Sequence, residues 1–187
     1  MRDIVESIRG EFDRYKALAE AAIAQLSDGE LTDASHGGNS IAVLGWHVSG
    51  NLRSRFTDFL TTDGEKPWRQ RDEEFAARDV TRAELLAKWE QGWATLFSAL
   101  SDLSDAQLGQ TVTIRGVSVK VHEALHRALA HVASHVGQIV LIAKATRGGD
   151  WKYLSIPPGQ SDAYNQNPTG ERAASHAQTL TERATKA

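Results

Sequence analysis

Apolar residues recur at spacings of three and four along four stretches of the chain, which is the spacing of a helix that buries one face. The second stretch covers about 41–60, and the longest, 117–147, is uninterrupted and contains four of the seven histidines. In chain order, the four apolar stripes are Ile4, Ile8, Phe12, Tyr15, Leu18, Ala22 and Leu26; Ile41, Leu44, Val48, Leu52, Phe56 and Phe59; Leu85, Trp89, Trp93, Leu96 and Leu100; and Val121, Leu125, Ala128, Val132, Val136, Ile139 and Ala143. The pattern predicts an all-α fold in which four amphipathic helices form a bundle.

Residues that favour helix ends lie next to these stretches. Gly29, with the polar run that follows it, is expected to end the first helix. Asn39 or Ser40 can cap the second helix by accepting a hydrogen bond from its first turn. Thr81 precedes Glu84 by three residues, which is the spacing of a capping box at the start of the third helix.

Two connecting segments lack a helical period. Residues 61–80 are dense in charge and contain Asp-Gly and Lys-Pro, and a loop of that length is long enough to have a function. Residues 111–120 alternate between apolar and polar positions around Arg115 and Gly116. That alternation predicts a short β-hairpin before the last long helix.

The pattern changes again after residue 147. Gly148 and Gly149 are expected to end the last helix, and 151–168 contains three prolines and neither period. This segment has four large apolar residues, Trp151, Tyr153, Leu154 and Ile156. Because such residues are costly to expose, we expect an ordered, irregular segment that wraps over the helices. From about residue 170 the chain is polar, which is typical of a frayed helix or a disordered tail.

The composition is that of an ordinary globular protein, with 41% hydrophobic and 24% charged residues. A chain of 187 residues has the size of one domain, and we expect a bundle domain over 1–165 followed by a flexible tail over 166–187. A net charge of −3 gives no reason to expect nucleic acid or an anionic membrane as a partner. The N-terminal residues have no apolar signal core, and no run approaches the roughly 18 apolar residues of a membrane span. We therefore expect a soluble, cytoplasmic protein.

Cysteine is absent from the sequence. Disulfides, thiolate metal ligands and a cysteine nucleophile are thereby excluded, and a reducing compartment is consistent with this composition.

The histidines of the last long stretch form two pairs, each with a spacing of four residues. His131 and His135 lie on one flank of the apolar stripe, with Gln138 beside them, whereas His122 and His126 lie on the other flank. Two pairs on opposite flanks cannot bind the same ion.

Residues 122–126 read His-Glu-Ala-Leu-His, which matches the HExxH motif of zinc metalloproteases. The longer form of that motif needs glycine at position 129 and histidine at position 132, where this chain has Leu129 and Val132. No sheet that could bind a peptide precedes the motif. We therefore interpret His122 and His126 as polar residues on the first turns of a bundle helix.

The other pair needs a third ligand, because a catalytic zinc site uses three protein groups and leaves one position open. His47 lies at the margin of the second apolar stripe, one turn before Asn51. If the two margins face each other, His47 can join His131 and His135 at one ion, with Asn51 and Gln138 as groups that orient the ligands. Spacing alone leaves the alternative open that these are half-buried polar residues with no ion.

His47, followed by His131-x-x-x-His135-x-x-Gln138, resembles the DinB-like four-helix-bundle superfamily. The segments GNLRSRFTDFLTTDGEKPWRQRDEEF, HVASHVGQIVLIAK and WKYLSIPPGQS are similar to one branch of it whose function is unassigned, and the likeness covers roughly residues 4–165. The resemblance implies up-down-down-up connectivity with a long crossover, and a divalent metal ion, zinc or nickel, on the three matching histidines. It also implies a homodimer, and transferase activity of the kind that uses a low-molecular-weight thiol as co-substrate.

Arginines at the end of the second helix and in the loop after it are candidates for binding the carboxylates of a thiol co-substrate. They are Arg53, Arg55, Arg69 and Arg71. The alternative is that they pair with acidic residues of the same region and hold the loop in place. Those acidic residues are Asp58, Asp63, Glu65 and Asp72.

These observations favour a metal-dependent enzyme that acts on a small molecule, with thiol S-transfer ahead of hydrolysis. The alternative is a non-catalytic, stress-related bundle that binds a ligand and has a structural metal. A closed fourth protein ligand would favour that alternative, because a structural site has no open position.

Overall fold

The computed structural model describes residues 2–35 and 37–184, and this part of the chain is mostly helical. The helices are α1 (Asp3–Ile23), α2 (Asp28–Thr32), α3 (Ile41–Phe56), α4 (Arg82–Ser101), α5 (Val121–Arg147), α6 (Ser161–Gln166) and α7 (Ala173–Ala184). Two strands, β1 (Thr111–Ile114) and β2 (Val117–Lys120), precede α5, and 3-10 turns occupy Asp72–Phe75, Asp105–Gln107 and Gly148–Asp150. The predicted all-α class is confirmed.

The four long helices share one hydrophobic core. Helix α3 contacts α4 and α5, and α1 contacts α5 and α4. Trp89 and Trp93 of α4 are fully buried in this core. Gly92 lets α4 approach α3 closely, since a Cβ atom at Gly92 would lie 2.6 Å from the Cα atom of Ser49.

Several helix ends differ from those expected. Helix α1 ends at Ile23, and Ser27 and Glu30 form a capping box that starts α2, so Gly29 lies inside a helix and does not end one. Ser40, rather than Asn39, caps α3 by accepting a hydrogen bond from Val43 N. The predicted capping box of Thr81 and Glu84 at the start of α4 is confirmed.

Helices α3 and α5 are shorter than expected. Helix α3 ends at Phe56 instead of near residue 60, because Asp58 adopts a positive φ of 47° that turns the chain. Residues 117–120, which we included in the last helix, form strand β2, so α5 begins at Val121.

The predicted hairpin is present, with Ile114 opposite Val117. Its turn has positive φ at both Arg115 (55°) and Gly116 (75°), as a two-residue hairpin loop requires. The carboxylate of Asp63 accepts hydrogen bonds of 2.8 Å from the backbone N–H groups of Arg115 and Gly116. The hairpin therefore anchors the long loop between α3 and α4.

The segment after α5 covers the helices only in part. Trp151 and Leu154 are buried, whereas Tyr153 and Ile156 are each 39% exposed, so the expected burial of all four apolar residues is wrong for two of them. Beyond it, α7 packs on α1 and buries Leu180 completely. The last three residues of the expected tail, 185–187, lie outside the described residues.

By length and composition alone, Val121–Asp150 could cross a membrane, with a mean hydropathy of 1.3 in its most apolar window. The core helix of a soluble protein passes the same test. This helix buries its apolar stripe against α1 and α3.

Candidate metal centre

Three histidines from two helices meet at the side of α3 that faces α5. His47 is supplied by α3, and His131 and His135 are one turn apart on α5. The Nε2 atom of His131 lies 3.1 Å from that of His47 and 3.2 Å from that of His135. The nitrogens that these three histidines offer as ligand atoms lie within 4.8 Å of one another. In the described part of the chain, no other group of three or more histidine, aspartate or glutamate residues is arranged to hold a metal ion.

Hydrogen bonding alone does not account for this arrangement. A neutral imidazole nitrogen has either one hydrogen or one lone pair in the ring plane. His131 Nε2 can therefore make an ordinary two-centre hydrogen bond to His47 or to His135, but not to both. One cation satisfies all three lone pairs, and the nitrogens of a tetrahedral zinc site with bonds of about 2.0–2.1 Å lie about 3.3 Å apart. The three histidines fit a divalent metal ion.

A carboxylate in the loop between α3 and α4 orients His47. Glu74 Oε2 lies 2.8 Å from His47 Nδ1. Glu74 also accepts two hydrogen bonds from the Arg69 guanidinium, of 2.8 Å and 2.9 Å. Because an ionised carboxylate only accepts hydrogen bonds, His47 has its hydrogen on Nδ1 and directs its Nε2 lone pair toward the other histidines.

The surroundings of Glu74, His131 and His135 shift the pKa values of all three side chains downward. Burial opposes the ionisation of Glu74, but hydrogen bonds from Arg69 and His47 outweigh it and lower its pKa. Burial and then the nearby His135 and His47 lower the pKa of His131 from 6.5 to about 3. The pKa of His135 is also lowered, first by burial and then by His47, while a hydrogen bond with Gln138 acts in the opposite direction.

Close packing holds this group in place. His47 is buried, with 4% of its surface exposed, and its ring lies 4.5 Å from that of Phe75, centre to centre. Gly50, one turn after Trp46 on α3, leaves the space that Glu74 occupies, since a Cβ atom there would lie 2.2 Å from Glu74 Oε1. His131 and His135 are half-buried, so the site is accessible from the α5 side.

Glu74 and Gly50 were not among the candidate residues from the sequence. Glu74 lies in an aperiodic loop, 27 residues from His47, and no spacing rule connects the two. Gly50 could have been identified only weakly from the sequence, because a glycine inside a predicted helix can mark a place where other atoms pack closely against the backbone.

Of the residues expected to orient the ligands, Gln138 forms a hydrogen bond with His135. Asn51 is half-buried on α3, and Gln138 is exposed one turn after His135 on α5. His122 donates a hydrogen bond from Nδ1 to Leu108 O, and its ring centre is 6.1 Å from that of His126. Among the described residues no third ligand joins this second pair.

The four candidate arginines differ in what they contact. Arg69 binds Glu74 and has a side chain only 2% exposed. Arg55 binds Glu65 and the carbonyl of Gly64. Arg71 is exposed beside Asp72, and the guanidinium of Arg53 lies over the Trp68 ring. Arg69 and Arg55 thus hold the loop in place.

No curated protein and no solved structure matches the sequence. A family model does match, over residues 1–160, which is most of the chain. The chain therefore belongs to the family described as "Protein of unknown function (DUF1572)".

Proposed function

We propose that the protein binds one divalent metal ion, zinc or nickel, through His47, His131 and His135, and that it uses this ion in a reaction on a small-molecule substrate. The proposal depends on one observation above all, the convergence of three Nε2 atoms at 3.1 Å and 3.2 Å. It is also supported by the pair Glu74 and Arg69, which orients His47 in the way that carboxylates orient zinc-bound histidines.

Thiol S-transfer is the reaction that we favour, ahead of hydrolysis, with a low-molecular-weight thiol as co-substrate. The DUF1572 family lies in the DinB-like superfamily, and the resemblance to that superfamily supports this choice. A divalent ion on three histidines lowers the pKa of bound water to about 7 or binds a substrate thiol as the thiolate. Both oxygens of Glu74 accept hydrogen bonds from Arg69 or His47, so Glu74 is not free to act as a fourth ligand. That favours an open, catalytic site over a closed, structural one.

The same resemblance underlies what we infer about architecture. Helices α1, α3, α4 and α5 would form an up-down-down-up bundle in which residues 61–80 are the long crossover. The pairwise contacts among these four helices are those of helices that pack together in a bundle. We further infer a cytoplasmic homodimer. Light scattering checks the dimer, and a monomer at micromolar concentration would contradict it.

Metal analysis of protein purified without an affinity tag tests the metal site. We expect about one zinc or nickel ion per chain, and loss of that ion in His131→Ala and in His135→Ala. The matched control is His126→Ala, which removes an exposed histidine from the other flank of the same helix and should leave the metal content unchanged. Equal metal content in all variants would contradict the site.

Turnover tests the reaction separately from the site. We expect thiol conjugation to an electrophilic acceptor that a chelator abolishes and added zinc or nickel restores. A stoichiometric metal with no activity toward thiol acceptors or simple amides would instead support the alternative, a non-catalytic, stress-related ligand-binding protein with a structural metal.

A further inference from the structure

A cleft of about 300 Å³ lies next to the candidate metal centre, on the surface between α3, α4 and the loop that joins them. Glu74 is part of its lining, but His47, His131 and His135 are not. The cleft is therefore a separate cavity that shares one wall with the metal centre.

Cationic side chains dominate this lining. They are Arg53, Arg69, Arg78 and Lys88, and the carboxylates present are those of Glu73 and Glu74. Arg69 is neutralised by Glu74. None of the other three cations forms a salt bridge with a carboxylate in the described part of the chain. With four cations and two carboxylates in its lining, the cleft thus has an excess of positive charge.

Two tryptophans hold these cations in place. The guanidinium carbon of Arg78 lies 4.7 Å from the centre of the Trp46 ring, and Lys88 Nζ lies 5.8 Å from it. The guanidinium of Arg53 lies 5.4 Å from the centre of the Trp68 ring. Cation–π contacts restrict the cations without cancelling their charge, so they remain available to an anion.

Two further features indicate that a partner is missing from the cleft. Arg78 Nε is a buried nitrogen without a hydrogen-bond partner among the described residues, whereas Arg78 Nη2 donates to Glu73 O and Arg69 Nη1 lies 3.6 Å from Glu65 Oε2. Burial, and then repulsion by Arg53 and Arg78, lower the pKa of Lys88. Buried donors without partners and cations that repel one another are both stabilised by an anion.

We propose that this cleft binds a small molecule through an anionic oxygen group, a carboxylate or a phosphate, independently of the metal ion. Guanidinium groups bind both kinds of oxyanion through paired hydrogen bonds, and Arg78 has one buried donor, Nε, that has no partner among the described residues. A volume of about 300 Å³ suits a small metabolite and not a macromolecule. Because the cleft excludes the three histidines, the proposal does not rest on the metal-dependent function.

The test is a calorimetric and NMR titration of the full chain with inorganic phosphate in one arm and succinate in the other, before and after removal of metal by a chelator. We expect saturable binding in at least one arm, with shifts of the indole signals of Trp46 and Trp68, and the same affinity with and without metal. Tighter binding of phosphate identifies a phosphorylated ligand, and tighter binding of succinate identifies a carboxylate.

Variants locate the anion. The double variant Arg78→Gln, Lys88→Gln should bind the anion about tenfold more weakly or worse, since each of the two substitutions removes a charge-assisted hydrogen bond. Lys88→Arg keeps the charge and should retain binding. Arg71→Gln is the matched control, because Arg71 is exposed in the same loop but outside the cleft.

Two results would overturn the proposal. One is the absence of saturable binding in both arms. The other is binding that disappears with the metal and does not respond to the double variant, since it would place the anion on the metal ion.

Discussion

Glu74 is the side chain on which the geometry of the candidate metal centre depends most. It accepts hydrogen bonds from His47 on one side and from the buried Arg69 on the other. Its pKa is lowered because these two hydrogen bonds outweigh the effect of burial. An ionised Glu74 is therefore expected at neutral pH, and it determines which nitrogen of His47 has the hydrogen.

Glu74→Gln should weaken metal binding by about 10–100-fold, because an amide neither fixes the His47 tautomer nor neutralises Arg69. Removing one partner of a buried ion pair should also lower the free energy of unfolding by about 3–5 kcal/mol. Competition with a chromophoric chelator measures the first effect, and urea unfolding the second. Glu73→Gln, an exposed neighbour, is the control. Equal affinities for the two variants would refute the role of Glu74.

Gly50→Ala should favour the helical conformation of α3 but weaken metal binding. Alanine is favoured over glycine inside a helix by about 1 kcal/mol. A Cβ atom at this position would lie 2.2 Å from Glu74 Oε1, so Glu74 must move away from His47. We therefore expect metal affinity to fall by about tenfold or more in the same titration. An unchanged affinity would mean that Glu74 can move without releasing His47.

The secondary-structure elements position the histidines through two close contacts. Helix α4 packs against α3 where Gly92 meets Ser49, and Ser49 Oγ donates a hydrogen bond to Lys88 O. The hairpin of β1 and β2 holds the loop that contains Glu74, through Asp63. Each contact can be changed without altering a ligand.

Gly92→Ala should push α3 away from α4, because its Cβ atom would lie 2.6 Å from the Cα atom and 2.9 Å from the backbone oxygen of Ser49. Overpacking of this kind lowers the free energy of unfolding by about 1–3 kcal/mol. In a urea titration, this loss lowers the midpoint of unfolding. The control is Gly137→Ala on α5, where a Cβ atom would have no neighbour within 4 Å. In that variant the free energy of unfolding should rise by up to about 1 kcal/mol, because alanine has a higher helix propensity than glycine. Destabilisation of the control instead would contradict the packing argument.

The contact of Asp63 with the hairpin should depend on pH. Hydrogen bonds from three backbone N–H groups, those of Glu65, Gly116 and Arg115, lower the pKa of Asp63 from 3.8 to about 2. Since the folded pKa is below the unfolded one, the contribution to stability is complete above about pH 4 and is lost as the pH falls toward 2.

Amide hydrogen exchange at Gly116 measures this contact. We expect Asp63→Asn to reduce the protection at pH 7, and the difference from the wild type to shrink near pH 2, where Asp63 is half protonated, and to disappear below it. Asp72→Asn, at a fully exposed side chain, should have no effect. Equal protection in both variants at pH 7 would show that Asp63 does not hold the turn.

Across the entire chain, the periodic parts could be predicted and the aperiodic parts could not. Burial repeats every 3.6 residues in a helix, so the stripes located the helices and placed His131 and His135 on one flank. The hairpin followed from Arg115 and Gly116, because few residues adopt positive φ in a two-residue turn. The contact of Glu74 with His47 joins two segments that approach each other only after folding, and no local pattern records it. For the same reason, burial of Leu180 by α7 on α1 was not anticipated.

The proposed metal ion should stabilise the whole fold, because its ligands His47 and His131 belong to two different helices and are 84 residues apart in the chain. An ion that binds only the folded state, and is present at a free concentration of 100 times its Kd, raises the free energy of unfolding by about 2.7 kcal/mol. For a chain of this size, that corresponds to a rise in Tm of about 5–10 °C. Thermal unfolding with and without zinc or nickel measures the shift. We expect His131→Ala to abolish it and His126→Ala to retain it. A shift of equal size in both variants would mean that the ion binds elsewhere, and the absence of a shift in the wild type would contradict a bound metal at this site.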